Sequence, residues 1–385
     1  MDLGIHHVIV VGGGTGGSAA ALLLARAGAR VTVLERVEQP RAVGAGIAIA
    51  ENGLAVLESL GLGGALAVGR PVPGARIVDA SGRTLLAAGE PQPRVLMLRR
   101  STLQGILLDA LAGESGIDRR FGAEVMRASV DGVVIVREGD VEYTMRGDLV
   151  IGADGVHSRV REGGTFGARV RQSDLSYVRM LVAAGLDTGT EAWTSAGVFG
   201  AFAVDDGTYA FASCGLPECR AALEARDLDA FRAAWARAYP PAGRILGALG
   251  RFEDLLVNEV LQVRCTRWFD GHLVLLGDAA HAMAPNLGQG ANSALVDAAV
   301  LLDELRRAHA LEPALGAYQR RRATKVRRVA TASARLGRLA EATHPVTRTL
   351  RDRVLVPVLR RFASPRATAM MLQEPTARLQ AIGQA

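Results

Sequence analysis

The sequence predicts an α/β protein: a Rossmann-like parallel-sheet domain, a mostly antiparallel sheet inserted into it, and helices appended at the C-terminus. Three observations predict this. The chain opens with strand, turn, helix and strand, and the turn carries the frame Gly12-x-Gly14-x-x-Gly17. Two later apolar strands each deliver an aspartate, Asp154 and Asp278. Between them, residues 176–213 alternate like strands and hold six of the 17 aromatics of the chain.

In the first unit, His6–Val11 is a β-branched strand, Ala19–Ala27 an Ala/Leu-rich helix stopped by Gly28, and Arg30–Leu34 a second strand ending at Glu35. Gly12 permits the tight turn, Gly14 lets a pyrophosphate approach the backbone, and Gly17 allows the helix to pack closely on the strand. The helix N-terminus offers unpaired N–H groups and partial positive charge to the phosphates. Glu35 follows Gly17 by 18 residues, where a carboxylate meets adenosine ribose hydroxyls. This frame predicts dinucleotide binding but does not by itself separate FAD from NAD.

The second strand, Asp148–Ile151, leads to Gly152-Ala153-Asp154-Gly155. The third, His272–Leu276, leads to Gly277-Asp278-Ala279-Ala280-His281, then Pro285 and Gly288-Gln289-Gly290-Ala291-Asn292, and into a helix Ser293–Arg306. Ligands of parallel sheets sit at such C-terminal strand ends. Asp278 suits the hydroxyls of a ribityl chain, and the N–H groups of Gly288 to Asn292 suit the N1/O2 edge of a flavin. Taken singly, Asp154 and Asp278 also fit turn formers or helix caps.

Together these segments resemble the class A flavoprotein monooxygenases, the para-hydroxybenzoate hydroxylase-like family, from about His6 to Arg338. The resemblance implies FAD contacts at Gly12, Gly14, Gly16 and Gly17, at Glu35, Arg36, Arg100 and Asp278, and at Pro285, Gly288, Gln289, Gly290, Ala291 and Asn292. Ala48 and Val125 are implied backbone contacts, and Asp154 is implied to support both flavin and nicotinamide cofactor. Gly44-Ala45-Gly46-Ile47 resembles the family's loop beside the isoalloxazine ring, although Glu51 stands where the family often has proline. The implied activity is reduction by NADH or NADPH, then insertion of one atom of O2 into a substrate through a flavin C4a-hydroperoxide. An oxidase or reductase on the same scaffold, and a flavin-binding protein without turnover, are the alternatives. No catalytic acid or base is assigned, though Tyr177 and Tyr209 are candidates to deprotonate or orient a phenol.

The aromatic-rich strands Tyr177–Ala184, Gly197–Val204 and Thr208–Cys214, with a hairpin turn at Asp205-Asp206-Gly207, are expected to line the substrate pocket. The expected lining residues are Tyr177, Phe199, Phe202, Tyr209 and Phe211. No Arg or His lies between Leu181 and Pro217, so the pocket reads as short of ionic groups and suited to a largely apolar aromatic or polycyclic molecule.

Absences narrow the reading. The frame Gly61-Leu62-Gly63 lacks its third glycine at Leu66, so no second nucleotide fold is predicted. Cys214 and Cys219 lie too late in the chain for the redox disulfide of a two-nucleotide reductase. The single lysine, Lys325, sits in the basic tail and argues against halogenation. No His/Cys/Asp cluster has metal-ligand spacing. Three cysteines, no signal-like N-terminus and no long apolar run are read as a cytoplasmic protein without a transmembrane segment.

The parallel-sheet domain is expected at 1–70, 93–167 and 266–309, the inserted sheet at 71–92 and 168–265 with a helix Leu228–Ala238, and a helical segment at 310–385. From Leu301 onward there are 17 basic and 6 acidic residues, against 28 and 33 before it, so the net +6 comes from the tail. That distribution excludes a basic nucleic-acid-binding body. The tail arginines, Arg320, Arg321 and Arg322 among them, are expected as a solvated face of amphipathic helices, with a second helix over Val346–Phe362. By attraction they would raise the local concentration of anionic NAD(P)H.

Overall fold

A computed structural model describes residues 5–39, 46–74, 76–87, 93–357 and 370–383. The Gly44-Ala45 part of the flavin loop and the end of the Val346–Phe362 prediction lie outside them. No helix among the described residues is long and apolar enough to cross a membrane.

Strand His7–Val11 is the centre of a six-stranded sheet because both of its faces are covered. It pairs in parallel with Arg30–Glu35 on one side and with Leu149–Gly152 on the other. Ile117–Phe121 extends the first side, and Leu273–Leu275 extends the second, both in parallel. Phe269–Asp270 closes the edge antiparallel. Val8, Ile9 and Val10 are fully buried, as the unbroken apolar run required. Helix Thr15–Arg26 starts four residues before its predicted first residue, so Gly16 and Gly17 lie inside its first turn. It packs on helix Gly290–Arg307, and Gly16 lets them meet: a Cβ there would lie 2.9 Å from the Ala294 Cβ.

The second sheet has seven strands, in the order Leu256–Arg264, Arg169–Val182, Gly207–Ser213, Val198–Val204, Thr190–Trp193, Arg76–Asp79 and Thr84–Ala87. All pairings are antiparallel except that of Thr190–Trp193 with Arg76–Asp79. The hairpin turn forms as predicted, with Val204 opposite Gly207 and only Asp205 and Asp206 between them. Its tip docks on the first domain, where the Asp205 carboxylate accepts from the Arg99 N–H and the Thr102 hydroxyl at 2.5 Å each. This ties the inserted sheet to the start of helix Arg100–Ala112.

Side-chain alternation splits this sheet into two chemically different faces. One face buries Ala192, Phe199, Ala201, Ala210 and Ala212 against three short helices, of which Leu228–Ala238 is the middle one. The Phe199 ring lies 5.3 Å from that of Trp235 and 5.9 Å from that of Tyr239. Phe199 is therefore not a pocket residue, contrary to the sequence expectation: it lies three positions, an odd number, from Phe202 along Val198–Val204, so the two rings take opposite faces. Phe199→Ala is expected to destabilise the protein by about 3–5 kcal/mol. Chemical denaturation should read that loss, while ligand-induced changes in the flavin spectrum of the folded fraction stay as in the parent.

The tail is one 30-residue helix, Leu311–Ala340, followed by Pro345–Leu350 and a wider turn at Arg351–Leu355. Tyr318, Val326 and Val329, at helical spacing, form its buried face. The arginines are not all solvated. Arg321 is held by Asp303, Glu304 and Glu374, and Arg322 is fully buried on Asp297. Acids of the preceding helix and of the terminal segment recruit them, so only Arg320 of the three is exposed.

Candidate active site

The glycine turn forms as the sequence requires. Gly12 has φ of +102°, and a Cβ there would meet the Ala153 carbonyl oxygen at 2.5 Å. A Cβ at Gly17 would lie 2.0 Å from the Gly12 oxygen, so only glycine lets this helix sit on the strand. At Gly14 nothing lies within 4 Å, and that open side is where a phosphate can approach the helix N-terminus. Glu35 half-closes the turn: its carboxylate accepts from the Gly13 N–H at 2.8 Å and from the Val37 N–H at 3.0 Å.

Beside this turn lies a cavity of about 570 Å³ lined by Gly12, Gly14, Glu35, Arg36, Val125 and Asp154. Asp154 Oδ2 accepts from the N–H groups of Arg159 and Val160, at 2.7 and 3.2 Å. Its Oδ1 is buried with no hydrogen-bond partner among the described residues. Burial raises this carboxyl above the usual range against those hydrogen bonds. An orphaned acceptor in a cavity wall marks a place for a donor from a ligand.

A second cavity, of about 280 Å³, is lined by Ala48, Ala50, Gly288, Gln289, Met371 and Leu372 among others. Gly288 takes φ of +61° and turns the chain into helix Gly290–Arg307. The Asp278 carboxylate faces that turn, 3.9 Å from where a Gly290 Cβ would stand. Ala291 follows in the first helical turn. Asn292 adds more than a backbone N–H. Its amide donates to the Ala48 and Gly288 oxygens and accepts from the Ala50 N–H, clamping strand Gly46–Ala50 to the helix. Gln289 points inward, bonded to Asn52 and Gln373 at 3.3 Å each. Met371 and Leu372 went unnoticed in the sequence, because nothing local marks a terminal segment as a pocket wall.

The third cavity, about 120 Å³, lies between the inserted sheet and the Pro285–Leu287 turn. Tyr177, Tyr209 and Phe211 line it together with Arg179, Glu191, Val198, Pro285 and Asn286. Phe202 shares that sheet face and stacks on Phe211 at 6.3 Å but lies outside this lining. The expectation of few ionic groups fails here, since Arg179 and Glu191 both face the space. Glu191 alternates in step with Trp193, and that parity was the signal that could have found it. Burial pushes the hydroxyls of Tyr177 and Tyr209 up from the ordinary tyrosine range, so neither accepts a proton near neutral pH. Arg100 lies near enough to Tyr209 and Arg179 to act on both electrostatically. Cys214 and Cys219 are free and buried, their thiols pushed up to about 12 and about 11 by burial, which suits packing rather than redox exchange.

The residues present fit FAD. The open Gly14 side, the unpartnered Asp154 oxygen and the Gly288–Gly290 turn facing Asp278 are cradles that protein atoms leave unfilled. Glu35 and the glycine turn would hold the adenosine and pyrophosphate, Asp278 the ribityl chain, and the Gly288–Asn292 N–H groups the reducible ring.

Comparison with known proteins agrees. A model of the FAD binding domain matches residues 6–333. The 2-heptyl-3-hydroxy-4(1H)-quinolone synthase of Pseudomonas aeruginosa is 30% identical over 355 residues, covering 85% of this chain and 87% of that protein. The aurachin C monooxygenase/isomerase of Stigmatella aurantiaca is 29% identical over 337 residues, covering 83% and 85%. Among solved structures, the tetrameric form of 2-methyl-3-hydroxypyridine-5-carboxylic acid oxygenase superposes with a TM-score of 0.78 at 24% identity, over 95% of this chain and 96% of that one. The glycine turn, the two aspartate-bearing strand ends and the family match over residues 6–333 together place this chain among the FAD-dependent flavoprotein monooxygenases of the aromatic hydroxylase kind.

Proposed function

We propose that the protein uses NADH or NADPH to reduce its flavin and inserts one oxygen atom of O2 into an aromatic, ring-fused substrate held on the inserted sheet. When bound, FAD supplies the redox and oxygen-transfer chemistry. The chain supplies the binding and the orientation. The helix-end N–H groups at Gly288 to Asn292 favour negative charge on the reducible ring. Pro285 and Asn286 separate that ring site from the third cavity, and Asn286 is anchored by donating to the Tyr177 hydroxyl at 2.6 Å. The observation that carries the reading is this adjacency of an aromatic-walled cavity to the flavin cradle. The quinolone named in the Pseudomonas aeruginosa relative supports a bicyclic heteroaromatic substrate class.

The test is substrate-stimulated NAD(P)H oxidation by the yellow holoenzyme under ¹⁸O2, across a panel of 2-alkyl-4(1H)-quinolones and other fused heteroaromatics. One ¹⁸O atom in the product is expected. NAD(P)H oxidation that yields only peroxide with every compound would favour an oxidase instead.

The engaged Arg321 and Arg322 cannot gather NAD(P)H as first expected. A groove of about 390 Å³ replaces them, lined by Arg169, Arg171, Arg264, Arg327 and Arg338. Arg327→Glu with Arg338→Glu is expected to raise the KM for NAD(P)H by about 3–10-fold at low salt and much less at 0.5 M salt, read by steady-state kinetics.

A further inference from the structure

Strand register places four positions in one row on the cavity face of the inserted sheet. Glu191 is opposite Gly200, Gly200 opposite Phe211, and Phe211 opposite Arg179. Directly opposed residues of antiparallel strands point to the same face. Three strand spacings separate the ends of the row, about 14 Å between main chains. Gly200 leaves its place empty, and the Phe211 ring leans into it: a Cβ on Gly200 would lie 2.4 Å from the tip of that ring. The row thus forms a flat aromatic floor with a carboxylate at one end and a guanidinium at the other. Its length matches a fused bicycle lying across Phe211.

Glu191 is only half committed. The Trp193 indole N–H donates to Oε1 at 2.7 Å, and among the described residues no donor reaches Oε2. Around it stand Tyr177, Tyr209, Arg179 and, beside Gly197 and Gly215 at the strand ends, Glu341, with Arg351 over the Trp193 ring at 5.2 Å. Burial raises the Glu191 carboxyl above its usual range. Burial also raises Glu341, to about 7, with the charge of Glu191 adding to it, and Glu341 Oε1 has no partner among the described residues. Two such carboxylates favour sharing one negative charge, which suits a group that takes up and returns a proton.

We propose, on the substrate class inferred above, that Glu191 is a catalytic residue whose Oε2 accepts a hydrogen bond from a ring N–H or O–H of the substrate and takes its proton as the ring is oxygenated. The N–H or O–H bond breaks, the proton goes to Oε2, and the electron pair stays on the ring, which is thereby a better nucleophile toward the incoming oxygen. The ring carbon gains one oxygen atom of O2, the other leaving as water with the two electrons of NAD(P)H; the C–H proton of that carbon is then lost to solvent as Oε2 returns its proton to the ring nitrogen or oxygen, and the product is aromatic again. Arg179 faces the carbonyl or oxyanion across the heteroring from that N–H or O–H.

The test compares 2-heptyl-4(1H)-quinolone with its N-methyl analogue on FAD-loaded protein, reading Kd from the perturbed flavin spectrum and the pH profile of stimulated NAD(P)H oxidation. In the parent the N–H probe is expected to bind at least 10-fold more tightly than the N-methyl probe. In Glu191→Gln the amide oxygen is claimed by Trp193, so its NH2 faces the cavity and donor meets donor. That variant should lose the discrimination, drop kcat about 100-fold and lose the acid limb of the pH profile. Glu191→Asp should recover part of each. Equal binding of the two probes to the parent, or discrimination retained in Glu191→Gln, overturns the role of Glu191 while leaving the substrate class intact. No spectral change with either probe overturns the substrate class and this role with it. Should Glu191→Gln lose flavin, the discrimination measured in the parent from pH 5 to 9 decides: it must weaken as pH falls, because a protonated Glu191 cannot accept.

Discussion

Replacing Arg322 by leucine is expected to cost about 3–5 kcal/mol of stability and to lower Tm by about 5–15 °C. Arg322 and Asp297 are both fully buried and bonded at 2.7 Å. Asp297 also accepts from the Gly277 N–H at 3.0 Å and from His281 at 2.5 Å. Removing the guanidinium leaves a buried carboxylate with one fewer counter-charge. The loss should reach the cofactor, because Gly277 directly precedes Asp278. Differential scanning calorimetry and FAD titration read the two effects, and Asp297→Asn in the same chain should restore part of the stability. A Tm within 2 °C of the parent would show the pair to be dispensable.

The same network fixes a pH dependence. Burial pushes the Asp297 carboxyl up, but His281 and Arg322 outweigh it and hold it down at about 2. A group depressed in the folded state stabilises at pH above its unfolded value, near 4, and loses that contribution as pH falls toward 2. The parent should therefore lose stability steeply between pH 4 and 2. Arg322→Leu should lose less across that window, because its Asp297 is no longer held as low.

Gly17→Ala is expected to give colourless protein. The added methyl would stand 2.0 Å from the Gly12 oxygen and 3.1 Å from the Ala153 Cβ, so helix Thr15–Arg26 must lift from the strand. Overpacking of this kind costs about 1–3 kcal/mol or more in stability. Displacing the helix N-terminus from the phosphate path should weaken FAD by about 100-fold, or about 2.7 kcal/mol. Gly14→Ala separates the two effects. Its methyl meets nothing within 4 Å, so stability should hold within about 0.5 kcal/mol while FAD affinity falls. Equal FAD affinity in Gly17→Ala and the parent would remove the turn from the cofactor site.

The nucleotide half of the molecule was legible because its chemistry is local. Turn, strand end and helix start are adjacent in sequence, so Gly12 to Gly17, Glu35 and the Asp278–Asn292 run each declare a geometry within a few residues. The inserted sheet was legible only as alternation. Its hairpin and three of its seven strands were where the pattern put them, Thr190–Trp193 with Glu191 was not read as a strand, and the face each residue takes depends on register. Reading aromatics without parity put Phe199 in the pocket and passed over Glu191. The buried roles of Asn292, Gln289 and Gln373 depend on segments up to 244 residues apart and have no local signature.

The same division explains the arginine-rich tail. Composition and periodicity determined that it is basic, helical and amphipathic, because those are properties of spacing along one chain. Which arginines meet water was decided by what stands opposite them. Asp297, Asp303 and Glu374 turn two of the expected surface cations into buried or half-buried ties, and the terminal segment they hold supplies Met371 and Leu372 to the cavity beside Gly288. A charge has a fixed sign in the sequence, but its desolvation and its partner exist only once distant segments pack, and these set whether it is a solvated face or a tie that holds the tail on the flavin domain.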